Sequence, residues 1–125
     1  AFYSCKLLQS ITIPATATVT NIGESAFYSC EKITSFIIPA GITTIKQQTF
    51  HGCSELMTIT IPESVDYIGG QTFTYSSNLQ TVTFKGTKEP STCKTDAFKN
   101  VPTSLVINVP SNYEGTTFCG KTVKK

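Results

Sequence analysis

Leu56-Met57-Thr58-Ile59-Thr60-Ile61-Pro62, followed by Val65 and Ile68 and closing on Thr72-Phe73, is the stretch whose reading decides the fold. Its first half alternates β-branched and polar residues with a period of two, the pattern of a half-buried strand. Pro62 then ends the strand, because proline has no backbone N–H with which to continue a ladder. Nothing after it has the helical apolar spacing sustained over about 10–12 residues that a long helix needs.

The same frame recurs along the chain. Phe stands at positions 2, 27, 50, 73 and 98, at intervals of 25, 23, 23 and 25, each preceded by a small residue: Ala1, Ala26, Thr49, Thr72 and Ala97. Three places after each Phe come Cys5, Cys30, Cys53, Ser76 and Val101, and twelve places after it Pro14, Pro39, Pro62, Lys85 and Pro110. Five before each later Phe stand Ile22, Ile45, Ile68 and Cys93. Because the step from Phe to the Pro position is constant, the two-residue insertions of the first and fourth units fall after it. Before each Pro position lies an alternating run: Ile11-Thr12-Ile13, Phe36-Ile37-Ile38, Ile59-Thr60-Ile61, Val82-Thr83-Phe84 and Ile107-Asn108-Val109. A further apolar residue precedes each run at Leu8, Ile33, Leu56 and Leu79, while the last unit has Ser104 there with Leu105 beside it to compensate.

A unit of 23 residues cannot bury its own apolar face, so the units must stack. Parallel strands from successive turns then lie roughly 4.8 Å apart, and the frame residues become inward columns. The expectation is one α/β repeat solenoid over residues 1–125, with little helix and short parallel strands on one face. Its five right-handed turns would be 1–25, 26–48, 49–71, 72–96 and 97–125, with irregular or 3₁₀ segments on the other face.

The frame Leu-x-x-Ile-x-Ile-Pro, then Val/Ile-x-x-Ile, then Ala-Phe-x-x-Cys, fullest in Ala26-Phe27-Tyr28-Ser29-Cys30, resembles the BspA-type leucine-rich repeat. Phe84-Lys85-Gly86-Thr87-Lys88-Glu89-Pro90 and Ile107-Asn108-Val109-Pro110 resemble the closing turns of such arrays, which implies a C-terminal cap after Pro110. The resemblance also implies a secreted or cell-surface protein of bacteria or parasitic protists that adheres to host extracellular matrix proteins or cells.

Composition narrows the chemistry. All ten basic residues are Lys, and against eight carboxylates they leave a net charge of +2. A surface without Arg is poorly suited to reading phosphates, so no nucleic-acid partner is expected. Apolar runs fall far short of the about 18 residues of a membrane span, and Ala1-Phe2-Tyr3-Ser4-Cys5-Lys6 has no signal-peptide pattern, so membrane insertion is not expected. Cys5, Cys30 and Cys53 are spaced as a ladder and not as a zinc cluster. Parallel Cβ vectors disfavour disulfides within that ladder, and reduced, buried thiols are expected. Cys93 replaces Ile in its column and reads as a buried small hydrophobe, while Cys119 has no place in the frame. His51, in register with Tyr3, Tyr28, Thr74 and Lys99, reads as a surface residue. The carboxylates form no recurring pair, and no phosphate loop, nucleophile elbow or calcium loop occurs. Neither an enzyme nor a metal or other cofactor is expected.

Threonine is abundant, 21 of 125 residues, and part of it is in register. Outward strand positions read Ser10, Ser35, Thr58, Thr81 in one column and Thr12, Ile37, Thr60, Thr83, Asn108 in the next, flanked by Gln9, Thr34, Met57, Gln80, Leu105. Strand propensity alone accounts for much of this. As a surface, however, these columns are uncharged, regular and slightly apolar, the kind of face on which repeat proteins bind extended partners. Thr12, Ile37, Met57, Thr58, Thr60, Thr81 and Thr83 are the candidate contacts for a host or matrix protein. Two other readings are a structural spacer and, for the Thr array, a binder of ice or a regular polymer. Because Ala1 enters in mid-unit, the first turn's Phe2, Leu8, Ile11 and Ile13 are expected to be uncovered on one side. That implies self-association through this end, or a piece of a longer array.

Overall fold

The computed structural model describes residues 2–14 and 18–125 and is a β-solenoid. Nine short strands form among the described residues: β1 Ser35–Ile37, β2 Thr44–Ile45, β3 Thr58–Ile61, β4 Tyr67–Ile68, β5 Thr81–Phe84, β6 Thr92–Cys93, β7 Val106–Asn108, β8 Thr117–Phe118 and β9 Lys121–Lys124. No helix forms among the described residues, so the α/β label gives way to an all-β one. The turns are only 23 or 25 residues and, in all but the fourth unit, Pro interrupts them just where an apolar helix face would begin, which leaves no room for a helical crossover.

The odd-numbered strands and the cap strand β8 make the main sheet, in the order β1-β3-β5-β7-β9-β8, with the odd-numbered strands from β1 to β7 parallel and in the register of the repeat: Phe36↔Ile59↔Val82↔Ile107. A second sheet, β2-β4-β6, occupies the side on which irregular or 3₁₀ backbone was expected, with Ile45↔Ile68↔Cys93 paired inside it. Three turns thus carry a strand on both faces. The first unit departs from expectation: Ile22 bridges to Ile45, yet Ile11-Thr12-Ile13 is not a strand. The insertion after Pro14 falls at least partly in residues 15–17, outside the described residues.

Between β2 and β3, and at the equivalent place in each unit, the chain turns around its Phe. Rings of Phe2, Phe27, Phe50, Phe73 and Phe98 stack in one column, 5.4, 5.4, 5.7 and 4.9 Å apart and within 20° of parallel. Burying each ring removes enough apolar surface to contribute about 1.5–3 kcal/mol. Left-handed backbone frames this turn: Ser25, Gln48 and Gln71 lie two before a Phe, and Ser4, Ser29, Gly52, Tyr75 and Asn100 two after, all with φ between 53° and 70°. The turn is bonded to the next by Ser25 N–H to Gln47 C=O, Phe27 N–H to Thr49 C=O and Ser29 N–H to His51 C=O, and Gln48, Phe50 and Gly52 repeat the scheme one turn on. In all of these the donor is in the earlier turn.

A β-hairpin closes the far end. β9 pairs parallel with β7 and antiparallel with β8, and Phe118, fully buried, sets its ring edge-on to Phe98. The cap is tied down by Tyr113 Oη donating to Thr117 C=O (2.8 Å), Cys119 N–H donating to Glu89 Oε1 (2.7 Å) and a disulfide between Cys93 and Cys119. The reading of Cys93 as a free buried thiol is therefore corrected. It does occupy the Ile position, but it is the last member of that column, half-buried and facing the cap, where Cys119 meets it. Leu105 packs against the core while Ser104 is exposed, as the shift in that unit required.

Candidate binding face

The outward side of the main sheet is set by strand alternation. β1 reads exposed, buried, exposed, and β3 and β5 follow the same parity. Pairing brings Ser35, Thr58, Thr81 and Val106 into one row across the strands and Ile37, Thr60, Thr83 and Asn108 into the next. Of the candidate contacts, Ile37 (73% exposed), Met57 and Thr58 are exposed, whereas Thr60, Thr81 and Thr83 are half-buried by their neighbours. The structure thus brings these six onto one continuous face. Thr12 is also exposed but stands apart, on the unpaired first-unit segment. The rows hold no charged side chain until Lys124 of the cap, opposite Asn108. Val106 extends the apolar part of the face, 38% exposed.

The other columns have structural explanations. Cys30 Sγ donates to Phe2 C=O (3.0 Å), Cys53 Sγ to Phe27 C=O (3.1 Å), and Ser76 Oγ to Phe50 C=O (3.0 Å). Thiol and hydroxyl do one job at this position, linking each turn to the Phe carbonyl of the turn before. Burial pushes the Cys53 thiol up to about 12 and raises that of Cys30, so both are poor nucleophiles. Cys5, Cys30 and Cys53 are unpaired, as the ladder reading required.

His51 was expected at the surface, and the structure corrects this in part. Its ring stacks on Tyr28 at 4.7 Å, Tyr28 on Tyr3 at 4.8 Å, and Tyr75 meets it edge-on, leaving the imidazole half-buried with Nδ1 buried and unbonded. Aromatic neighbours account for this: Tyr3 and Tyr28 add rings at the same position in the two turns before, and Tyr75, one place beyond the register residue Thr74, covers the other side. No group of His, Cys, Asp and Glu that could hold a metal ion occurs among the described residues. No helix there is long and apolar enough to cross a membrane.

A model of the BspA type leucine rich repeat region matches residues 1–119 in six copies. The chain belongs to this family. Its fold is also similar to the crystal structure of a leucine-rich repeat protein from Bacteroides ovatus, with a TM-score of 0.68 at 25% identity over 88% of this chain. The chain spans about a quarter (27%) of that structure. No curated protein matches it. BspA-type repeats build protein-binding modules, and the family and fold are generally non-enzymatic. Such proteins are typically found at the cell surface or outside the cell.

Proposed function

We propose that this BspA-type array is an adhesive module of a surface or secreted protein, binding host extracellular matrix proteins or cells through the outward face of its main sheet. The observation that carries this is the face itself: two rows of small hydroxylic and apolar side chains, in strand register and without charge. Ile37, Met57, Thr58, Thr60, Thr81 and Thr83 are the contact residues, and Thr12 adds to them at the first-unit end. An uncharged surface attracts no partner over long range, so adhesion here is weakly dependent on salt. Placement outside the cell draws support from the Cys93–Cys119 disulfide, since such bonds persist in oxidising compartments and are rare in the cytosol.

The test is a binding screen of the chain against immobilised matrix proteins, repeated with Thr60→Lys plus Thr83→Lys. These half-buried, outward positions accept a long side chain into solvent, so the double variant is expected to fold normally and to lose at least about tenfold in adhesion, as buried unpaired charge does at interfaces. A folded double variant that adheres as well as the parent would remove this face from the function.

A further inference from the structure

We infer that the outer edge of β1 is a strand-addition site, which takes an extended, uncharged segment of a partner polypeptide into the cleft between the first and second turns. This goes beyond binding on the sheet face, because it uses backbone groups and not side chains.

In a parallel ladder alternate residues turn their N–H and C=O to opposite neighbours. Thr58 N–H bonds Thr34 C=O and Ile38 N–H bonds Thr60 C=O, so the groups of β1 that face β3 belong to Thr34, Phe36 and Ile38. Those of Ser35 and Ile37 point the other way. In β3 and β5 the equivalent residues, Thr58, Thr60, Thr81 and Thr83, bond back to the preceding turn. Ser35 and Ile37 have no such bond among the described residues, because Ile11-Thr12-Ile13 does not pair with β1. The first turn is nevertheless anchored on either side of this gap, by Phe2 N–H to Ala26 C=O, Ser4 N–H to Tyr28 C=O and the Ile22–Ile45 bridge.

The gap is a cleft of about 410 Å³ lined by Ser10–Pro14 and Ser35–Ala40. Two N–H and two C=O groups repeat along it at a two-residue spacing, which only an extended backbone satisfies; a glycan or a lipid does not carry that alternation. Its lining has no Asp, Glu or Lys, so the segment that enters is uncharged where it is buried. Ile11 and Ile13, half-buried, supply an apolar wall opposite β1. Strand addition of this kind draws affinity from main-chain bonds and specificity from alternate side chains.

The test uses a labelled, end-capped peptide with the sequence Leu56–Pro62, which in the folded chain is locked in β3 and so unavailable from a second copy. Anisotropy should show saturable binding. Two derivatives, one N-methylated at the amides of Met57, Ile59 and Ile61 and the other at those of Thr58 and Thr60, carry the same side chains. One of them should lose at least about tenfold in affinity and the other should not, since only one set faces β1. Ile37→Pro deletes an outward N–H without touching the ladder to β3 and should abolish binding, whereas Ile37→Thr should retain it. Hydrogen exchange should find the Ser35 and Ile37 amides open in the free protein and protected with peptide, and protection of Phe36 and Ile38 reports that the Pro variant is folded. Equal binding of both methylated peptides, or no binding at all, overturns the proposal. So does protection of Ser35 and Ile37 without peptide: if it is independent of concentration the chain's own Ile11-Thr12-Ile13 fills the cleft, and if it rises with concentration a second copy does.

Discussion

Removing the Cys93–Cys119 disulfide should loosen the cap and lower the stability of the whole array by an amount the structure fixes. The crosslink closes a loop with a sequence separation of 26. The chain-entropy relation gives about 3.5 kcal/mol for a loop of that size. With an unfolding entropy of roughly 2.1 cal/mol/K per residue, a 125-residue chain should lose about 13 °C in Tm. The assay is thermal unfolding followed by circular dichroism, with and without reductant and for Cys119→Ser. A thiol titration in denaturant runs beside it and should find three thiols before reduction and five after. Packing at Cys93 is separated from the crosslink by Cys93→Ile with Cys119→Ser, which restores the residue that Ile22, Ile45 and Ile68 provide one to three turns earlier. Hydrogen exchange should show β8 and β9 opening first in the reduced protein, because the hairpin is then held without a covalent tie, by Phe118, the β7 pairing and the Cys119 N–H to Glu89 bond. Five thiols before reduction would refute the reasoning at its root. A drop in Tm of under about 2 °C, or full rescue by the Ile replacement, would show that the crosslink itself contributes little.

Three further outcomes follow from the columns and turns. Ser76→Cys should be nearly neutral, whereas Ser76→Ala, which deletes the donor to Phe50 C=O, should cost about 1–2 kcal/mol in urea unfolding. A Cβ on Gly69 would come within 2.6 Å of Gln47 N and 2.9 Å of Lys46 C, so Gly69→Ala should destabilise by about 1–3 kcal/mol, while Gly70→Ala, which meets only the Asp96 carboxylate at 3.0 Å, should be mild in the same assay. The Ser91 hydroxyl and N–H, both donating to Asp66 Oδ1, hold its carboxyl below the ordinary value. Their contribution is complete above the unfolded carboxylate value of about 3.9 and lost as pH falls through the folded one, so the Tm of Asp66→Asn should fall less than the parent's between pH 6 and pH 2.

The inward columns were legible because each is one residue type repeated at one phase: Phe27, Phe50 and Phe73, or Ile45 and Ile68, show in sequence the contacts they make in space. β2, β4 and β6 were not, because two residues such as Tyr67-Ile68 are too short to display any period. The disulfide was hidden for a related reason. Cys93 obeys the register and Cys119 lies outside it, so spacing offered no sign that the cap would fold one onto the other. Nor could a repeating pattern indicate that Ile11-Thr12-Ile13, which fits the strand frame as well as Ile59-Thr60-Ile61 does, would remain unpaired. The outward face was readable as a surface from strand parity alone, since Ser35, Ile37, Thr58 and Thr60 alternate with buried Phe36 and Ile59. How far the neighbours would cover Thr60, Thr81 and Thr83 depends on side chains from adjacent turns, which the sequence of one unit does not contain.

The one-way hydrogen bonds of the Phe turns give this one corner of the stack a local electrical polarity, opposed on the other faces by bonds such as Glu55 N–H to Glu31 C=O, Gly69 N–H to Ile45 C=O and Lys94 N–H to Ile68 C=O, whose donors lie in the later turn. In the successive turns Phe2, Phe27, Phe50 and Phe73, the N–H groups aim toward the C-terminal end and the carbonyls that receive them aim back. Each such peptide carries a dipole of about 3.5 D, and within this column the dipoles line up head to tail. The positive end of this column faces the C-terminal end of the array, the reverse of an α-helix, and the lysines of the terminal strand, Lys121 and Lys124, lie at that same end. Every further turn added in frame lengthens this column together with the opposing bonds on the other faces, so the local polarity of the corner persists at any array length.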